Sequence, residues 1–368
     1  MVKSLNTKMR TYNFGAGPAM LPEPILLEAQ AELLNWHGLG VSVMEIGHRT
    51  AEFRQLMEQI EADLRELISI PNNYHVLFLG GAARTQFGMI PMNLLHHGQQ
   101  AGYLVSGLWS SQAFDEACKL KQAYCVASSE HTGFTDVPLR ASWVLQKDTA
   151  YLYYTPNETV NGVRFSETPK VSGIPLVADM TSCLLSEPVN VADFGLIFAG
   201  AQKNIAIAGL TIVIIRDDLL DKSIESPIAT MLDYKTHSSN KSLYATPPTF
   251  NCYLAGKMFS WIKAQGGVDA LYQINCKKAA KLYQYIDSSS FYQCRVQEHA
   301  RSLMNVCFSL SKPELESEFL LRANQRGLYA LQGHRSVGGL RASLYNAMPM
   351  AGVESLLAFM RDFSEEYH

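Results

Sequence analysis

Between residues 74 and 215 the chain is cut into short, uninterrupted apolar runs, at 75–79, 102–105, 151–155, 175–179, 196–199 and 210–215, with helical or loop stretches between them. Continuous rather than alternating hydrophobicity marks strands buried on both faces. Such strands need helices on either side, so the spacing predicts an α/β fold with a mostly parallel sheet covered by helices. Upstream, residues 25–36 read as a helix, opened by Pro22 and Pro24 and closed at Gly38. Thr50 can cap a second helix, in which Phe53, Met57, Ile60 and Leu64 recur at three- and four-residue steps. A helix over 252–265 ends at Gly266-Gly267, and the pattern then changes. A helix over 268–286 follows, with short strands near 291–296, 303–310 and 339–345, a helix over 313–325 and a last one from Pro349. This predicts a large domain over 15–265 and a small α+β domain over 266–368, to which residues 1–14 belong.

Lys and Arg number 31 against 34 Asp and Glu, a net charge of -3 without a long like-charge run. No global field of that size attracts nucleic acid, so an anionic ligand has to be held by a local cluster of cations. The 47% hydrophobic content excludes extensive disorder. The seven cysteines, at 118, 125, 183, 252, 276, 294 and 307, form no C-x-x-C pair, which predicts reduced thiols in a cytoplasmic protein and no metal site. No run of about 20 apolar residues is present to span a bilayer.

Four features end apolar runs or lie in the second domain. The run at 75–79 leads into Gly80-Gly81-Ala82-Ala83-Arg84-Thr85, small residues that let main-chain N–H groups approach an anion at a helix start. It has neither P-loop nor G-x-G-x-x-G spacing. Asp179 ends the run at 175–179, and Lys203 follows the run at 196–199. The fourth feature, His334-Arg335-Ser336-Val337-Gly338-Gly339-Leu340-Arg341, together with His48-Arg49, offers cations suited to carboxylate or phosphate. Taken singly, these read equally as a tight turn, a capping carboxylate and solvated charge. Taken together, an anion cup, an acid and a lysine at neighbouring strand ends suit pyridoxal 5′-phosphate, which carries a phosphate, a ring nitrogen needing an acid, and an aldehyde for the lysine. Trp109, after the turn Ser106-Gly107-Leu108, can cover the ring, although a rim tryptophan is the plainer reading of that residue alone.

The same motifs, together with Phe14-Gly15-Ala16-Gly17-Pro18, Asn157-Glu158-Thr159, Ala201-Gln202-Lys203-Asn204 and Thr246-Pro247-Pro248, resemble those of the phosphoserine aminotransferase family, fold-type-I pyridoxal-phosphate enzymes, over essentially the whole chain. The resemblance implies that Lys203 bonds the cofactor aldehyde, Asp179 pairs with the ring nitrogen and Trp109 stacks on the ring. It implies cofactor contacts from Ala83, Arg84, Thr159 and Gln202, with Ala245 and Thr246 completing the phosphate cup from the other subunit of a homodimer. It assigns Arg341 to the substrate α-carboxylate, and His48, Arg49, His334 and Arg335 to the distal phosphate or carboxylate. The implied reaction is reversible transamination between L-glutamate and 3-phosphohydroxypyruvate, with 4-phosphohydroxy-L-threonine as a further substrate. Three positions depart from the family pattern: Ala245 stands in place of asparagine, Ala206-Ile207 in place of Gly-Pro, and Arg164 adds a cation. A cysteine desulfurase would need a nucleophilic cysteine on a Gly- or Ser-rich loop, and a nicotinamide dehydrogenase would need G-x-G-x-x-G after the first strand; neither is present. A cofactor-binding regulator without turnover would not need Lys203, Asp179 and Arg341 together.

Overall fold

A computed structural model describes residues 10–220 and 227–367. The described chain opens with a two-residue strand, β1 (Tyr12–Asn13). After two helices, Glu23–Glu32 and Ala51–Leu67, come β2 (Tyr74–Gly80), β3 (Gln100–Val105), β4 (Ala123–Ser128) and β5 (Thr149–Tyr154). A small hairpin, β6 (Asn157–Glu158) and β7 (Val163–Arg164), precedes β8 (Leu176–Asp179), β9 (Leu196–Gly200) and β10 (Leu210–Arg216). Seven strands form one sheet in the order β2-β10-β9-β8-β5-β3-β4. All neighbours from β9 to β4 pair in parallel; β10 alone runs against both of its neighbours.

Both faces of the sheet are buried, which accounts for the uninterrupted apolar runs. Val76 and Phe78 pack on one face with Ile212 and Ile214, while Leu77 and Leu79 pack on the other with Val213 and Ile215. Helices Ala51–Leu67 and Thr249–Ala264 pack on the first face. Helices Gln86–Leu94 and Leu108–Leu120 cover the second. All six predicted runs are strands. The seventh, β4, was missed because it lies at the sheet edge, where Cys125 is exposed and only Val126 and Ala127 are buried.

A second core is built on the long helix Gly267–Ser288. Its first turns place Val268 and Leu271 in the first core, while Ala279, Leu282 and Ile286 pack into the second. There they meet β11 (Tyr292–Gln293), β12 (Asn305–Leu310), β13 (Leu328–Tyr329), β14 (Leu340–Ser343) and the helices Glu316–Gln325 and Met350–Tyr367. β1 pairs in parallel with β13, and Phe14 is fully buried in this second core. Of the segment 1–14 assigned to the small domain, residues 1–9 lie outside the described residues.

A buried amide network ties the two cores together. Asn157 Nδ2 donates to Ser182 Oγ at 2.9 Å and to Asn305 Oδ1 at 2.9 Å. Asn305 in turn donates to Ser343 Oγ and the Tyr345 hydroxyl, and that hydroxyl donates to the Ala16 carbonyl.

Candidate active site

The carboxyl ends of β2, β8 and β9 converge on a cavity of about 510 Å³ at the junction of the two cores. Ala83, Arg84, Trp109, Thr159, Asp179, Gln202, Lys203, His334 and Arg341 all line it, as do Gly17, Thr155 and Thr181. After β2, Gly81 takes φ +121° and the chain turns through the short helix Ala83–Thr85. The N–H groups of Ala83 and Arg84 open that turn, where no carbonyl lies one turn back to receive them. Arg84 places its guanidinium 5.1 Å from the Trp109 ring centroid.

Asp179 and Lys203 are both buried, an arrangement tolerable for charges only when they are paired or hydrogen-bonded. Burial raises the Asp179 carboxyl above its ordinary value, opposed by the Thr181 N–H at 2.9 Å and by the charge of Lys203. Burial lowers the Lys203 amine to about 8; the neighbouring Arg341 adds to that, and Asp179 opposes it. Nζ donates to Thr159 Oγ1 at 2.6 Å. From β14, Arg341 Nη1 donates to the Thr159 carbonyl at 3.3 Å, so Thr159 ties the lysine to the arginine. His334 lines the cavity; burial and the nearby Arg341 and Arg335 lower its pKa.

Five predicted residues lie elsewhere in this chain. His48 Nδ1 and Thr246 Oγ1 are 3.1 Å apart, and Arg49 lines a separate cavity of about 600 Å³ with Arg54, Lys241 and Tyr244. Ala245 and Thr246 border a smaller cavity on the far side of the Ala82 turn. Arg335 is exposed beside His334. Of the departures from the family pattern, Arg164 pairs with Glu187 in another cavity. Ala206 is buried, its N–H donating to the Ala201 carbonyl behind the lysine loop.

Sequence reading did not assign Gly17 or Thr155. Residues 15–19 cross over the lysine loop, with the Ala19 N–H bonded to the Gln202 carbonyl. A Cβ on Gly17, at φ +136°, would stand 3.4 to 3.6 Å from Gln202 Cγ, Lys203 Cγ and Lys203 Cε. The Gly-Pro pair at 17–18 was the available signal, but it does not say which residues it would cover.

The architecture and this cavity define a class-V aminotransferase: that family matches residues 11–356. A phosphoserine aminotransferase of Legionella pneumophila (strain Corby) is 63% identical, over 97% of this chain and 99% of its own length. The solved phosphoserine aminotransferase from Bacillus circulans subsp. alkalophilus is 44% identical with a TM-score of 0.95, covering 98% of this chain and 99% of its own. The PLP-bound enzyme of that name from Trichomonas vaginalis is 38% identical with a TM-score of 0.93, covering 96% and 100%. Within the class, the chain belongs to the phosphoserine aminotransferase family.

Proposed function

We propose that this chain exchanges an amino group between L-glutamate and 3-phosphohydroxypyruvate, giving 2-oxoglutarate and O-phospho-L-serine in serine biosynthesis. The observation that carries this reading is the meeting, in one cavity, of a buried lysine, a buried carboxylate, an indole, a helical turn with open amides and an arginine.

Pyridoxal 5′-phosphate fits these residues. The Trp109 Nε1–H is buried without a partner and its ring borders the cavity, while the cavity is large enough for a cofactor and a small substrate. When bound, the cofactor supplies an aldehyde for the amine and a protonated ring that draws electrons from the reacting carbon. Ala83, Arg84, Gln202 and Thr159 would hold it, Trp109 would cover its ring, and Asp179 would keep its ring nitrogen protonated. The Lys203 amine, lowered to about 8, has a far larger neutral fraction near neutral pH than an ordinary lysine and takes the proton from Cα of the amino acid. Thr159 orients that amine, and Arg341 receives the α-carboxylate as a forked donor.

His48, Arg49, Ala245 and Thr246 complete the site of a second copy in a homodimer. Two observations support this: they lie outside the cavity of their own chain, and the segment before them exposes Leu27, Leu34, Leu39 and Met44, with Leu34 84% exposed. Arg49 and Arg335 supply charge for the distal anion and His48 and His334 hydrogen-bonding groups, Thr246 completes the cofactor's phosphate cup, and a phosphate beside an α-carboxylate also admits 4-phosphohydroxy-L-threonine. Among the described residues, the two cores support a large domain followed by a small one that takes in Phe14, with helix Gly267–Ser288 contributing to both across the boundary expected at 265/266. All seven cysteines are free, which suits the cytoplasm, and no helix among the described residues is long and apolar enough to cross a membrane.

The test mixes purified holoenzyme separately with O-phospho-L-serine, L-serine and L-aspartate and follows the visible cofactor band. Rapid loss with phosphoserine alone, abolished by Lys203→Ala, is expected. Loss with another amino acid but not phosphoserine would keep the cofactor and overturn the substrate.

A further inference from the structure

Behind the cavity lies a second buried carboxylate that the chemistry above leaves unused. Glu158, in β6, is 0% exposed. Its Oε1 accepts the Ser110 N–H at 2.8 Å and the Ser110 hydroxyl at 2.7 Å, and its Oε2 accepts the Trp109 N–H at 3.0 Å. Both amides belong to the first turn of helix Leu108–Leu120, where main-chain donors have no partner within the helix and the helix end carries partial positive charge. Asn161 Oδ1, from the same hairpin, accepts the N–H of Leu108 at 3.1 Å. Three successive amides are therefore held by side chains from one hairpin. Gly107 makes the approach possible, since a Cβ there would stand 2.6 Å from Glu158 Cδ. Burial raises the carboxyl, the bonds from Ser110 and Trp109 oppose that by favouring the charged form that accepts all of them, and the balance stands at about 7.

We propose that Glu158 is a positioning residue for Trp109: by clamping the first turn of its helix, the carboxylate fixes the indole over the cavity. The inference rests on the assignment of Trp109 to the cofactor ring. It also gives the hairpin a double role, because the next residue, Thr159, holds the Lys203 amine. One short segment then sets both the ring-covering side chain and the lysine.

The test is a double-mutant cycle on the apoenzyme, with pyridoxal 5′-phosphate affinity measured by equilibrium dialysis and ring order by the induced circular dichroism of the visible band. Glu158→Gln keeps the shape but presents an NH2 group to one of the helix amides. It should weaken cofactor binding about tenfold, the loss expected for one charge-assisted bond, and reduce the induced signal. In a Trp109→Ala background, where no ring is left to position, the same change should add less than about twofold, because coupled residues are not additive. An equal loss in both backgrounds, or none in either, would overturn the positioning role. If Trp109→Ala alone leaves affinity and signal unchanged, the ring assignment itself fails. If Glu158→Gln does not fold, Ser110→Ala removes one donor and spares the carboxylate; a weaker induced signal supports the clamp, and an unchanged one overturns it.

Discussion

Burial brings the Lys203 amine from 10.5 to about 8, so its neutral, nucleophilic form grows as pH rises through about 8. The rate at which apoenzyme captures pyridoxal phosphate should follow that curve and level off above it; a rate still climbing past pH 10 would contradict the burial effect. Lys203→Ala should lower turnover by at least about 100-fold, the lower range for losing a positioned acid–base group. Asp179→Ala should cut turnover more than it weakens cofactor retention, as measured by kcat against residual cofactor after dialysis. These two residues were legible in the sequence because each is a charge at the end of an apolar run, where neither belongs without a partner. Glu158 was not, because the amides it holds lie 49 and 48 residues earlier in the chain, and no periodicity connects them. Thr246 is legible only through family resemblance, since nothing local distinguishes it from other polar residues, whereas the His48-Arg49 pair can be read as a cation group from its residues.

Among the elements, helix Gly267–Ser288 carries a buried cation in an unusual setting. Lys278 is 0% exposed, and its Nζ donates to the carbonyls of Leu344, Tyr345 and Met348 at 3.0 to 3.1 Å. Burial lowers its pKa to about 7, while three carbonyl acceptors favour the charged form. The carbonyls belong to the segment just after β14, the strand that bears Arg341, so the helix pins the end of that strand. Lys278→Met would leave those acceptors without their donor and should cost at least about 2 kcal/mol, read as a lower urea midpoint with an unchanged slope. Gly107→Ala should cost about 1–3 kcal/mol by overpacking against Glu158, read in the same titration. The strands of the central sheet could be read from hydrophobic continuity because helices cover both of its faces. β4 could not, since an edge strand with one exposed flank lacks that pattern.

For the whole molecule, the separation of His48, Arg49 and Thr246 from the lysine cavity turns into a complementation experiment. Lys203→Ala and Arg49→Ala subunits, each expected to be poorly active alone, are mixed in equal amounts and reassembled. If sites are shared across a two-fold axis, half of the dimers are hybrids with one intact site of two, restoring about a quarter of wild-type activity. No restoration would return Arg49 to its own chain's chemistry. The pairing of β1 with β13 has a different consequence, one of timing. A chain made from its amino end presents Tyr12, Asn13 and Phe14 long before their partners at 328 and 329 exist. The central sheet can close while these residues wait, so the second core is the last part of the protein to form during synthesis. Arg341, carried by that core, joins the cavity of Lys203 only then, and a nascent chain stalled short of β13 has its lysine but not the arginine that lines the same cavity.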